Sequence, residues 1–287
     1  MDRSTIGVTT ASDWSGKVGD VWAAEWRRTD RSFATLSRQL DAAILAAAPA
    51  HGVALDIGCG AGGTSIALAS ARPDLDVVGV DLSAELVGVA RTRAAGIANV
   101  RFVVGDGGGA LDDLPSPSLI CSRHGVMFFA DSAATFAAFC RAASPGAPLV
   151  FSCFRAAALN PWASALVAVV TGETPTPATC YAPGPFGFAD ERWVETMLAD
   201  AGWQGVTGEP VDYRYVAGAG DDPVEDAVSF FRRIGSIAGA LRDAPETARA
   251  AMLDKLRDAL HKHREHDEIV FPAAAWIWRA RAPGDQR

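Results

Sequence analysis

The sequence predicts an α/β fold, a doubly wound sheet with helices packed on both faces. Three observations lead there. Short apolar runs alternate with helix-length segments from Val53 to Phe154. A glycine-rich turn, Gly58–Cys59–Gly60–Ala61–Gly62–Gly63, closes the first run and opens the first helix. Of the 287 residues, 49% are hydrophobic and 21% charged, a balance that suits a sizeable core and argues against disorder.

Residues 1–50 predict a helical cap. Trp14, Trp22 and Trp26 precede Phe33, Leu36, Leu40, Ile44 and Leu45 at helical spacing, and Pro49–Ala50–His51–Gly52 closes the segment. Residues 51–287 predict the α/β domain. Strands are expected at 53–57, 77–80, 100–104, 119–121 and 149–154. Between them, helices are expected at 62–72, stopping before Pro73, at 83–95, closed by Gly96, and at 132–143. After Phe154 the rhythm breaks. Residues 155–189 contain Asn160–Pro161–Trp162 and a stretch rich in Pro, Gly and Thr. A connection this long inside a compact domain is usually functional. Beyond it come a helix at 190–201, a strand at 206–216 and two helices at 223–235 and 246–263. A last strand at 268–280 carries Trp276 and Trp278 on one face. The segments 155–189 and 221–264 are read as inserts that cap a substrate.

Several functional classes fall away. The net charge is −8, without the basic footprint of a nucleic-acid binder. Arg27, Arg28 and Arg31 read as a solvated helix face. Residues 1–15 are polar, with no leader pattern, and Ala163–Val170 is too short to span a bilayer. A cytoplasmic protein without a membrane span is expected. Cys59, Cys121, Cys140, Cys153 and Cys180 are odd in number and lack CxxC spacing, so neither a disulfide framework nor a zinc site is expected. His261 and His263 fall on opposite faces of a helix, so these two and His266 predict no metal site.

The turn at 58–63 has the chemistry of a nucleotide site, because glycine lets a ligand approach the main chain closely. Gly58, Gly60 and Gly63 also satisfy the dinucleotide pattern GxGxxG, so the turn alone leaves an NAD-dependent oxidoreductase open. Asp56 tilts the balance: a carboxylate there suits a cationic amino-acid head group better than a pyrophosphate. Asp81 ends the next strand, where a ribose needs acceptors for its hydroxyls. Asp106 follows the third strand, where an adenine amino group needs an acceptor.

Together LDIGCGAGG, VVGVDLS and FVVGDGG resemble the three leading motifs of the class I S-adenosylmethionine (SAM)-dependent methyltransferases. SRHGVMFFAD, Ser122 to Asp131, is similar to a segment of the bacterial branch related to the ubiquinone/menaquinone C-methyltransferases. The resemblance continues through APLVFSCFR, PGPFGFAD and FPAAAWIW and covers most of the chain. It implies a Rossmann-like, seven-stranded sheet whose last strand is antiparallel. It also implies SAM as cofactor and S-adenosylhomocysteine as product. Gly58, Gly60 and the Asp56 region would approach the methionyl part, Asp81 and Leu82 the ribose and adenine, and Asp106 and Gly107 the adenine. Ser122 to Gly125 would line the wall near the methyl group.

The chain departs from the resemblance at Ser118, where an Asp is usual, and at His124, where an aromatic Phe is more usual. His124 follows the fourth strand, where ligands of open α/β sheets bind. A neutral imidazole there is either a general base for an acceptor proton or a wall residue. Trp14, Trp22, Trp162, Tyr181 and Phe186 are expected to build an apolar pocket for a small, hydrophobic or aromatic acceptor. A protein of this fold that uses SAM for regulation or for a non-methylating reaction is the remaining alternative.

Overall fold

A computed structural model describes residues 11–109, 111, 114–174 and 181–284. Cys180 lies outside the described residues, as does most of the 1–15 segment.

Five parallel strands form the centre: β1 (Gly52–Ile57), β2 (Leu75–Asp81), β3 (Val100–Val104), β4 (Leu119–Arg123) and β5 (Pro148–Phe154). β6 (Gln204–Ala219), the two-residue β7 (Arg264–Glu265) and β8 (Glu268–Arg281) complete the sheet. The order is β3-β2-β1-β4-β5-β8-β6, and β8 runs antiparallel to both its neighbours. The seven expected strands are therefore present, the last one antiparallel. β7 is an addition that the sequence reading missed. It folds back on Ile269 and Glu268 through a turn in which His266 takes φ 57°.

Helices cover both faces, as the central strands require. All seven residues of β5 are buried, the pattern of a strand packed from both sides. The N-terminal segment forms α1 (Ala11–Trp14), α2 (Lys17–Ala24) and α3 (Trp26–Ala47). In α3 the buried Phe33, Leu36, Leu40, Ala43 and Ile44 recur every three or four residues. That stripe packs across β6 and onto α4 (Gly63–Ala71). The arginines at its start are only partly a solvated face. Arg27 is exposed, but Arg28 and Arg31 are half-buried and both pair with Asp226 at 2.8 Å. Arg31 also donates to the carbonyls of Val216 and Ala217 in β6, a strand that continues past its expected end, to Ala219.

α5 (Ala84–Arg93) and α6 (Ser132–Ala142) start on side-chain caps, Ser83 and Asp131. The 155–189 insert holds α7 (Ala165–Thr171), and α8 (Glu191–Asp200) follows it. Instead of two helices after β6 there are three: α9 (Pro223–Phe231), α10 (Gly235–Asp243) and α11 (Glu246–His261). The break after α9 is made by Ile234 in an extended conformation and Gly235 at φ 80°. The sheet is pinned at its far end by Trp278. This ring is fully buried and lies over Gly208, where a Cβ would come within 2.8 Å of it. Truncating a buried ring of this kind costs about 3–5 kcal/mol.

Asn160 fixes the start of the insert. Its Nδ2 donates to the carbonyls of Arg155, Ala156 and Ala274, and its Oδ1 accepts from Ala274 N and Trp162 Nε1. This fully buried amide, with every partner supplied, ties the Trp162 indole N–H to the Ala274 backbone of β8.

Candidate active site

The strand order reverses between β1 and β4, and a cavity of about 520 Å³ opens beyond the carboxyl ends of the strands there. One side of it is a backbone cradle. After β1 the chain turns through Gly58 at φ 62° and Gly60 at φ 54°, a region that excludes most other residues. A Cβ on Gly58 would meet Gly125 Cα at 2.7 Å, so the two strand-end loops touch backbone to backbone. A Cβ on Gly60 would meet nothing within 4 Å, because that residue borders the open cavity.

Asp81, at the end of β2, holds the cradle in place. Its Oδ2 accepts from Gly60 N and its Oδ1 from Ser83 N, both at 2.9 Å. Burial raises its pKa, while the two backbone N–H groups act against that shift. Each carboxylate oxygen keeps a lone pair for a ligand. Leu82, Asp106 and Gly107 line the same side, with Asp106 exposed at the rim.

Asp56 and Ser122 stand behind this wall rather than on it. Ile57 faces the cavity, so the alternation of a strand turns Asp56 the other way, under α4. There Ser65 Oγ donates to its Oδ2 at 2.5 Å, and its Oδ1 is buried without a partner among the described residues. Burial pushes its pKa up to about 7, against the Ser65 hydrogen bond and the Arg123 charge. Ser122 Oγ donates to Ile57 O at 2.7 Å and accepts from Gly125 N at 3.1 Å. It staples the ends of β1 and β4 together.

The other side of the cavity is aromatic. Trp14, Trp22, Trp162 and Phe186 line it. Tyr181 does not: it stacks on Trp193 at 4.8 Å and its hydroxyl donates to Phe129 O. The sequence reading missed Phe33, Phe154, Tyr215 and Phe230, which come from α3, β5, β6 and α9 and all face the cavity. Trp162 and Tyr215 lie parallel at 4.6 Å, and Phe154 packs on Trp162 at 5.2 Å.

His124 stands between the two sides at φ 59°. Its ring is 5.0 Å from Phe33 and 4.2 Å from Phe154. Its Nδ1 lies 2.7 Å from Ser152 Oγ, and its Nε2 is buried without a partner among the described residues. Burial, reinforced by the Arg123 charge, lowers its pKa to about 3, so the ring is neutral at physiological pH. A conjugate acid this strong makes the imidazole a poor proton acceptor.

The charged groups in the wall are mostly engaged with each other. Asp30 pairs with Arg123 and Arg93 at 2.8 Å each, and Arg93 also donates to Ala61 O at 2.7 Å and stacks on Trp26. These contacts tie α3 to the glycine turn. Asp30 was not visible as a site residue in the sequence, and Arg123 was read only as part of the Ser122–Gly125 wall, because their pairing joins positions 93 residues apart.

Residues 54–146 match the family model described as a methyltransferase domain. The matched segment runs from β1 to the turn before β5, within a Rossmann-like sheet of the class I methyltransferase type. No curated protein sequence matches the chain. Solved structures share its fold. The YcgJ protein of Bacillus subtilis has a TM-score of 0.54 at 19% identity, covering 86% of this chain and 99% of that one. A Haemonchus contortus phosphoethanolamine N-methyltransferase, solved with phosphomonomethylethanolamine and S-adenosylhomocysteine, has a TM-score of 0.52 at 17% identity. The match covers 97% of this chain and 61% of that one. The [4+2]-cyclase SpnF has a TM-score of 0.55 at 16% identity, covering 98% and 100%. Among the described residues, no helix is long and apolar enough to cross a membrane.

Proposed function

We propose that this chain is a SAM-dependent methyltransferase whose acceptor is a neutral, hydrophobic or aromatic small molecule. The observation that carries the acceptor class is the aromatic wall of Phe33, Phe154, Trp162, Phe186, Tyr215 and Phe230 opposite the cradle. Apolar rings with few polar groups select flat apolar ligands.

The residues of the cradle fit SAM. The backbone at Gly60 is open to the cavity, and acceptors stand at the ends of β2 and β3 in Asp81 and Asp106. In this reading Asp81 takes the ribose hydroxyls beside Leu82, Asp106 takes the adenine amino group beside Gly107, and Gly58 and Gly60 pass close to the methionyl part. Asp56 acts through Ser65 and the strand, setting the turn rather than touching the ligand. Bound SAM supplies a methyl group on a positively charged sulfonium, already primed to leave. The protein then has to align the acceptor and keep water out. Trp14 and Trp22 close the cavity on the α1–α2 side. Asp30 and Asp81 are held by hydrogen bonds and ion pairs, and His124 is neutral, so the wall favours an acceptor that reacts without a strong protein base.

The match of SRHGVMFFAD supports kinship with the ubiquinone/menaquinone C-methyltransferase branch, and the unpaired buried cysteines support a reducing, cytoplasmic setting. The likeness to a cyclase over the full chain favours one rival, a non-methylating use of the cofactor. A screen of aromatic and polyketide-like acceptors, scored by S-adenosylhomocysteine release, separates the two. The expected result is release that depends on acceptor and matches methylated product one for one. SAM binding with product formed but no S-adenosylhomocysteine would establish the rival.

A further inference from the structure

We infer that the acceptor enters and leaves through a mouth of its own beside Gly235, and that the ion pair between Glu25 and Arg233 is the latch of that mouth. The inference rests on the methyl-transfer reading and adds how the acceptor reaches its wall.

Among the described residues that line the cavity, four are exposed to solvent. Asp106, Ala130 and Asp131 lie on the cradle side, beyond β3 and β4. Gly235 lies apart from them, in the joint that follows Phe230 of the aromatic wall. A Cβ on Gly235 would meet nothing within 4 Å, as at Gly60. The cavity therefore reaches the surface on two sides, one at the cofactor and one at the rings.

Two helix joints form the banks of the second mouth. Glu25 is the one residue between α2 and α3, and Trp22, Trp26 and Thr29 line the cavity on either side of it. Arg233 belongs to the joint between α9 and α10, where Phe230, Ile234, Gly235 and Ser236 line the cavity. Arg233 Nε donates to Glu25 Oε1 at 2.7 Å, so one ion pair crosses from bank to bank.

The two helices at this joint are held unequally. α9 is anchored near its start, where Asp226 pairs with Arg28 and Arg31 and accepts from Ala219 N. The joint is looser: the N–H groups of Arg233 and Ile234 share the carbonyl of Phe230, and α10 buries only Ile237 and Leu241. Gly235, at φ 80°, is the natural hinge between them. The latch can open without leaving a buried charge alone, because Glu25 keeps Arg28 at 2.8 Å when Arg233 departs. An ion pair with one half-exposed partner is weak, which suits a contact that has to break on every turnover.

The probe is N-phenyl-1-naphthylamine, an uncharged dye that fluoresces in apolar surroundings, mixed by stopped flow with protein loaded with S-adenosylhomocysteine. A latch holds the free and the occupied cavity shut equally. Arg233→Ala is therefore expected to raise the association and dissociation rates about fivefold each, with Kd within about twofold of the parent. Arg233→Lys, which keeps the charge, is expected to stay within about twofold of the parent in both rates. SAM association should be unchanged in either variant, since the cofactor has its own side. In the parent, raising salt from about 0.05 to 0.5 M should speed both rates about threefold by screening the pair. That series needs no variant to fold. Unchanged rates in Arg233→Ala would overturn the inference, as would a change in dissociation alone, which marks a merely structural contact. Parent rates that ignore salt, equal acceleration of SAM binding, or no dye binding by the parent would overturn it too. Failure of the parent to bind SAM in a separate titration would instead sink the methyl-transfer reading itself.

Discussion

The two sides of the cavity are built in opposite ways. The cradle is local: Gly58 to Gly60, Asp81 to Ser83 and Asp106 to Gly107 come from three consecutive strand ends, and backbone groups do much of the work. The aromatic wall is assembled from a distance, with Phe33, Phe154, Trp162 and Tyr215 drawn from α3, β5, the insert and β6. A cradle made of backbone tolerates almost no substitution. A wall made of interchangeable rings tolerates exchange of one ring for another and changes what it selects.

The largest effect should follow from breaking the cradle at its tightest point. Gly58→Ala forces a side chain into a left-handed conformation and against Gly125. The expected loss is about 3 kcal/mol or more, in stability or in SAM affinity, read by thermal denaturation and calorimetry.

A crossed pair of variants tests whether the two sides act separately. Asp81→Ala strips the acceptor from Gly60 N and Ser83 N, and SAM affinity should fall about tenfold to a hundredfold. Trp162→Ala should leave SAM affinity within about twofold and raise the acceptor KM about tenfold. If Trp162→Ala weakens SAM as much as Asp81→Ala does, the division into two sides is wrong.

The smallest effect concerns pH. Asp56 ionises near pH 7 in the folded protein, against an ordinary value of 3.8. The folded state thus holds a proton that the unfolded chain has already lost, and this contribution to stability fades as pH rises from about 4 through 7. His124, lowered to about 3, works the other way: its contribution fades as pH falls below 6.5. Asp56→Asn removes the first of these. Its melting temperature should gain on the parent's as pH rises from 5 to 8, by a few degrees. Parallel melting curves across that range would show that Asp56 is not protonated in the fold.

The same contrast explains what could be read in the sequence. The parallel strands of the core, the turn, and the carboxylates Asp81 and Asp106 beyond β2 and β3 were legible because each is a local pattern at a strand end. Asp56 and Ser122 were found as important and seated wrongly. Strand alternation turns Asp56 away from the ligand side, and the close approach of β1 and β4 uses up the Ser122 hydroxyl. Tyr181 was assigned to the pocket with Phe186, its near neighbour in sequence, yet stacking on Trp193 draws it to the other side of the segment. Phe33 was read on the apolar stripe of a helix and Tyr215 fell within an expected strand, and no local signal shows that both face a cavity. Ser152 was hidden for the same reason. Its role depends on pairing β4 with β5, where it sits opposite Arg123.

The contact between Gly58 and Gly125 has a meaning for related sequences. Two backbones meet there with no side chain between them, so neither position can drift alone. His124 adjoins this fixed point, and its own left-handed backbone narrows what can replace it. A lineage that changes its acceptor can do so by exchanging the rings of the aromatic wall, which stand on ordinary helix and strand backbone. A lineage that loses either glycine has to move a strand end, and with it give up this cofactor.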